Sequence, residues 1–165
     1  MTRSLTLALL TASLACTDST GPRAASATVE VLAAEIPYQS FTHAEETRIE
    51  FEVPVRIHNN DTVPIGYHRC GYSIDSAEQQ GWKMAWYPNC NLLQVPRTLI
   101  PPGHYRETTF RVSAHIAGNG VPKWEARGMG GLLRLRVHLA REAGGGEMSV
   151  SSEGFLLRKV SASPE

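Results

Sequence analysis

The chain has 165 residues, and its 16 lysines and arginines balance its 16 aspartates and glutamates, so the formal net charge at pH 7 is zero. A balanced charge provides no basic field for nucleic acid and no charge block for steering an ionic partner, so we expect no nucleic-acid partner. The length suits one domain built around one core.

Residues 1–15 have the pattern of a signal peptide. Arg3 provides the positive charge of an N-terminal signal region. The apolar run over residues 5–14 is too short to cross a hydrocarbon core about 30 Å thick. Small residues then lead into Cys16. The segment resembles a bacterial lipoprotein signal, in which cleavage precedes a cysteine that carries diacylglycerol. It departs from that pattern at Ser13, where leucine is preferred.

The resemblance implies a lipid anchor at Cys16 on the periplasmic or surface face of the bacterial cell envelope, with the membrane as partner. Ordinary cleavage, at Ala15 or after residues 25–27, gives a secreted soluble protein as the alternative, and an uncleaved N-terminal anchor is a third. Residues 16–27 are small and polar and include Gly21-Pro22. Such a segment cannot bury enough apolar surface to fold, so it is predicted to be a flexible tether.

The residues after the tether alternate as β-strands do. A first strand is predicted over residues 28–34, and strict alternation of apolar and polar residues over 48–58 predicts a half-buried second strand. Pro54 lies on its outer face and indicates a sheet edge or a bulge. The third strand, 65–74, changes parity, which predicts a bulge near residues 69–71.

The fourth strand, 82–87, places Trp82, Met84 and Trp86 on one face, which is predicted to be core. Three further strands are predicted over residues 108–116, 133–139 and 148–160. A glycine-rich loop spans residues 117–131 and a glycine-rich hairpin spans 141–147. Helix is expected only in short pieces such as residues 76–80.

About seven short strands separated by turn signals predict an all-β fold, a single antiparallel two-sheet sandwich. The segments FEVPVRIHNND, IPPG before TTFRV, GLLRLRVHL and GFLLRKV resemble the immunoglobulin-like and fibronectin-like domains of exported bacterial proteins. The resemblance implies an immunoglobulin-like domain over residues 28–160, followed by a C-terminal tail of residues 161–165. The spacing of Cys70 and Cys90 differs from the antibody pattern, so membership of the antibody family is not implied.

The chain has three cysteines. If Cys16 carries lipid, Cys70 and Cys90 remain as a pair in an oxidising compartment, where a disulfide is the default. His68 makes a zinc or copper site with these cysteines an alternative, and free thiols are a third. No short-spaced cysteine motif accompanies them, so we predict the disulfide, no metal site and no cofactor.

Two aromatic residues are candidate partner contacts. Tyr87 projects away from Trp82 and Trp86, which together with it could alternatively form a platform for sugars. Trp124 lies in the glycine-rich loop, where it either pins the loop to the domain or contacts a partner. A protein or a glycan is the partner that these residues would suit.

The sequence contains no GxSxG, Walker or GxGxxG motif, so we expect no enzymatic activity. Glu50 and Glu52 share the outer face of one strand, which favours a solvated surface over an acid–base pair. The predicted function is a non-catalytic envelope lipoprotein with a binding or structural role. The alternatives are a carbohydrate- or protein-binding module, including protease inhibition by a loop, and a periplasmic metal-binding protein.

Overall fold

The computed structural model describes residues 25–90, 96–126, 129–142 and 144–160. Cys16 and most of the predicted signal peptide, tether and tail lie outside these residues. The described part of the chain forms nine strands and contains no helix that could cross a membrane. The strands are β1 (Ala27–Val31), β2 (Glu35–His43), β3 (Glu46–Asn59), β4 (Ile65–Glu78), β5 (Gly81–Trp86), β6 (Arg97–Ile100), β7 (Tyr105–Ala117), β8 (Leu133–Arg141) and β9 (Glu147–Lys159).

The nine strands form one connected, open, mixed sheet. Its order is β1-β3-β2-β9-β8-β4-β5, with β7 paired to β3 and β6 paired to β4. The all-β prediction is confirmed. The prediction of a purely antiparallel arrangement is wrong at one place, because β2 pairs with β9 in parallel, from Glu35 opposite Leu156 to Tyr38 opposite Lys159.

The strands β2 and β6 are absent from the predicted set. β2 has one fully buried apolar residue, Ile36, and exposed or half-buried residues elsewhere, so its sequence carries almost no alternation. β6 has only four residues. Both strands form because neighbouring strands offer backbone hydrogen bonds, a signal that alternation does not contain.

β3 carries the clearest pattern in the sequence, and its apolar residues are all buried as predicted: Ile49, Phe51, Val53, Val55 and Ile57. One of its edges pairs with β7, and the other pairs first with β2 and then with β1. Pro54 falls in the gap between those two partners, where its carbonyl accepts a hydrogen bond of 2.9 Å from Leu32 N–H. The missing N–H of proline therefore costs no ladder hydrogen bond.

The strands β4 and β5 pack against β7 through aromatic side chains. The ring of Phe110 on β7 lies 6.0 Å from that of Tyr67 and 4.5 Å from that of Tyr72, both on β4. The Tyr72 hydroxyl donates to the Arg111 carbonyl, and the Trp86 indole N–H donates to the Ser113 carbonyl at 3.2 Å. Among the described strands, β7 pairs only with β3. These two hydrogen bonds therefore satisfy two carbonyl groups of β7 that lack a partner strand.

The predicted bulge in β4 is confirmed. The register of β4 against β8 shifts between Tyr67 and Tyr72. Tyr67 and Tyr72 are five positions apart, so regular alternation would place them on opposite faces of the strand. Because of the register shift, both tyrosines point into the core.

Candidate binding groove beside the disulfide

Cys70 of β4 and Cys90, which follows β5, form a disulfide with an S–S distance of 2.08 Å and a Cα–Cα distance of 6.0 Å. The predicted pairing is confirmed. Sulfurs bonded to each other do not act as thiolate ligands, so the alternative metal site with His68 is not formed here. Within the described ranges, no three His, Cys, Asp or Glu side chains converge as a metal-ion site.

A bulge decides which side chains of β5 reach the core. Ile74 lies opposite Trp86 and Asp75 lies opposite Met84, which leaves Ala85 as the extra residue. Trp86 therefore points inward with 3% of its surface exposed, whereas Trp82 and Met84 turn outward with 37% and 46% exposed. The prediction of a common core face is correct for Trp86 and wrong for Trp82 and Met84.

An open groove of about 550 Å³ runs along the outer face of the sheet beside the disulfide. We call it the disulfide groove. The apolar part of its lining includes Met84, Tyr87, Pro88 and the disulfide itself. The volume lies within the range of about 300–1,000 Å³ that is typical of small-ligand sites.

The polar part of the lining contains two arginines and one carboxylate. It includes His68 of β4, Arg97 of β6, Arg136 and His138 of β8, and Glu147 of β9. Four adjacent strands thus contribute one or two side chains each. The alternation of β8 places Arg134, Arg136 and His138 outward, because the intervening Leu135 and Val137 are fully buried.

Gly66 allows Arg97 to lie flat across the sheet. A Cβ at Gly66 would come within 2.2 Å of the Arg97 Cδ, so any side chain there would displace the arginine. The Arg97 Nε faces the His68 Nε2 at 3.5 Å. The guanidinium is thereby held beside the groove while its methylene stem covers the glycine.

A buried carboxylate holds Arg136 in place. Asp75 has no exposed surface although it lies on the outer face of β4. Its Oδ2 accepts hydrogen bonds from Arg134 Nε at 3.0 Å and from Arg136 Nε and NH2 at 3.2 and 2.6 Å. Its Oδ1 has no hydrogen-bond partner among the described residues. The Arg134 guanidinium also lies 4.5 Å from the centre of the Trp82 ring.

The predicted contact residues occupy different environments. Tyr87 is 55% exposed and lines the groove. Trp124 is only 9% exposed, and its ring meets that of Phe51 edge-on at 6.1 Å. The backbone N–H of Trp124 donates to the His115 carbonyl at 2.9 Å, which ties this part of the loop to β7. Little of the Trp124 ring is left for a partner.

Sequence reasoning missed the arginines and His138 at the groove. The outward Arg134, Arg136 and His138 were visible as the polar positions of RLRVH, a signal that could have indicated a cationic stripe. Asp75 and Arg97 carried no such signal, because their roles depend on which strands lie beside β4.

Neither a protein-family model nor a curated protein matches the chain. Among solved structures, the structural-genomics target SoR45 is 14% identical with a TM-score of 0.45, over 81% of this chain and 87% of that one. A provisionally assigned ApaA protein from Bordetella pertussis is 14% identical with a TM-score of 0.39, over 78% and 89%. A provisionally assigned lipoprotein, ycdA, from Bacillus subtilis is 11% identical with a TM-score of 0.42, over 78% of this chain and 36% of that one. Similarity at this level assigns neither family nor function.

Proposed function

We propose that the protein is a non-catalytic, lipid-anchored protein of the bacterial cell envelope whose domain binds a ligand in the disulfide groove. The groove carries this proposal, because it combines a ligand-sized volume with apolar lining residues and a few fixed polar groups. Its cationic side chains are held by contacts within the protein, so they are positioned before a ligand arrives.

We also propose that the domain is an immunoglobulin-like sandwich. The pairing of β3 with β7 corresponds to the B–E pair of that fold, and the order β4-β8-β9 corresponds to its C–F–G sheet. The contacts of Phe110 with Tyr67 and Tyr72 support two layers packed face to face. In this arrangement the disulfide groove lies on the outer face of the second layer.

The anchor is tested by the change Cys16→Ser. We expect the protein to move from the membrane fraction to the soluble fraction, because the acyl chains require this thiol. Ser19→Ala, a similarly small change in the tether, serves as the control and should leave the fractionation unchanged. Continued membrane association of Cys16→Ser would remove the lipid anchor from the proposal.

Ligand binding is tested by nuclear magnetic resonance on the full chain carrying Cys16→Ser, with labelled methionine methyl groups. Fractionated envelope extract should shift the Met84 methyl signal, which lies in the groove, and leave Met148, which does not line it, unchanged. The ligand should be recovered chemically unaltered.

A groove-filling variant completes the test. Gly71 lines the groove, and a Cβ there would meet only ordinary contacts of 3.5 Å or more, so Gly71→Phe should block binding, with circular dichroism to check that the β structure is kept. Gly130→Phe is the control, since a Cβ at Gly130 has nothing within 4 Å. Equal binding by both variants would place the ligand elsewhere.

A further inference from the structure

We infer that the ligand of the disulfide groove is a small organic monocarboxylate with an apolar body. This inference rests on the proposed ligand-binding function and names the chemistry of its ligand. The lining of the groove combines exposed apolar residues, Met84 and Tyr87 with the disulfide, and two arginines, Arg97 and Arg136.

The arginines and carboxylates at the groove carry a surplus of one positive charge. Three arginines, Arg97, Arg134 and Arg136, and two carboxylates, Asp75 and Glu147, lie in the groove or directly behind it. A ligand with one negative charge would balance this surplus. A cationic ligand would add to it, and a neutral ligand would leave it unpaired.

The arginines suit a carboxylate in geometry as well as in charge. A guanidinium presents planar, paired N–H donors that match the two oxygens of a carboxylate. The Nε and NH2 groups of Arg136 both donate to Asp75 Oδ2, which fixes the plane of the guanidinium. Arg97 is laid across Gly66, lines the groove and is exposed to solvent.

The apolar residues of the groove suit a ligand with a flexible hydrocarbon body. Met84 is 46% exposed and Tyr87 is 55% exposed, although residues of this type usually bury much of their surface. A methionine side chain adapts to ligands of different shape because it is unbranched and polarizable. The exposed apolar surface of these two residues would be covered by the body of the ligand while its carboxylate meets the arginines.

The test measures binding of octanoate to the full chain carrying Cys16→Ser through the Met84 methyl signal. We expect a saturable shift for octanoate, affinity about fourfold lower for hexanoate, and no saturable shift for octyltrimethylammonium. Because the groove is open, we expect each methylene group to contribute half the free energy of full burial, which changes the affinity about twofold. Octanoate has two more methylene groups than hexanoate, so its affinity should be about fourfold higher.

The variants Arg97→Gln and Arg106→Gln separate the groove from general surface charge. Both arginines are exposed, but Arg106 lies on β7, away from the groove. Arg97→Gln should weaken octanoate binding about tenfold, which is typical of losing one hydrogen bond to a charged group, while Arg106→Gln should leave it unchanged.

The inference is overturned if octanoate gives no saturable shift, if octyltrimethylammonium binds equally well, or if the two arginine variants bind octanoate alike. A Met84 signal that responds to envelope extract but not to octanoate would reject the carboxylate and leave the proposed function standing. A Met84 signal that responds to neither would reject both.

Discussion

The change Asp75→Asn removes the one negative charge that two arginines share beneath the outer face of the sheet. Asp75 is fully buried, whereas the side chains of Arg134 and Arg136 are 22% and 35% exposed. Removing one partner of a buried ion pair costs about 3–5 kcal/mol. Because the two arginines can regain water and the asparagine oxygen can still accept a hydrogen bond, we expect a loss of about 2–3 kcal/mol in the free energy of unfolding.

Glu50 on β3 provides a matched control. Glu50 also bridges two arginines, with 3.0 Å to Arg48 and 2.8 Å to Arg111, but its side chain is 19% exposed and theirs are 47% and 67% exposed. Exposed pairs of this kind contribute about 0–1 kcal/mol. Glu50→Gln should therefore cost at most about 1 kcal/mol.

Urea titration of both variants, with the disulfide intact, measures the two free energies and checks that the dependence on urea is unchanged. The result that refutes the reasoning is an Asp75→Asn variant that is as stable as Glu50→Gln. Burial of the carboxylate would then contribute nothing to the strength of the cluster, and Asp75 could not be what holds Arg136 at the groove.

Three further sets of substitutions have expected outcomes. Replacing Cys70 and Cys90 together by serine should lower the free energy of unfolding by about 3 kcal/mol in urea titration, because it opens a loop with a sequence separation of 20. Tyr72→Phe should cost about 1 kcal/mol at pH 7, because a carbonyl of β7 loses its donor. Burial raises the pKa of Tyr72, so the wild-type protein should lose stability as the pH rises above the ordinary tyrosine value of 10, and Tyr72→Phe should show a smaller alkaline loss in thermal melts. Hydrogen bonds from Arg141 and a backbone N–H lower the pKa of Asp61 below its ordinary value of 3.8, so its contribution is present above that value and disappears as the pH falls through the lower folded pKa. Asp61→Asn should therefore melt with a shallower acid dependence than the wild-type protein.

Each of these expectations has a contrary result. A double serine variant as stable as the oxidised wild-type protein would contradict the role of the disulfide. Equal alkaline losses in Tyr72→Phe and wild-type protein would show that the phenol does not titrate differently on unfolding. An acid dependence of Asp61→Asn identical to that of the wild-type protein would mean that the ion pair with Arg141 does not persist in solution.

Alternation along the chain was enough to predict the all-β class, the buried face of β3 and the bulge in β4. These features are local, since period two places every second side chain on one face and a change of parity within a strand requires an extra residue. The Cys70–Cys90 disulfide was predicted by counting cysteines and considering the compartment, without any geometry. Pro54 was predicted to mark a sheet edge or a bulge, whereas it lies within β3 beside a gap between β1 and β2 that the sequence did not show.

The candidate groove could not be predicted because it is made by neighbours in space. The extra residue Ala85 reverses the direction of side chains within β5, and only its register against β4 shows where the reversal lies. Trp82 and Met84 therefore alternate as core residues do and are nevertheless outward-facing. The same pairing sets Met84 opposite Asp75, a carboxylate that carried no sequence signal.

The sequence by itself determined the strand-forming segments other than β2 and β6, the inward face of β3 and the cysteine pair. Those properties depend on residue type and local spacing. The tertiary structure alone decided the parallel pairing of β2 with β9, the outward turn of Trp82 and Met84, and the meeting of Arg97, Arg136 and the disulfide along one groove. These depend on strand order and register, which arise from hydrogen bonds between segments far apart in the chain.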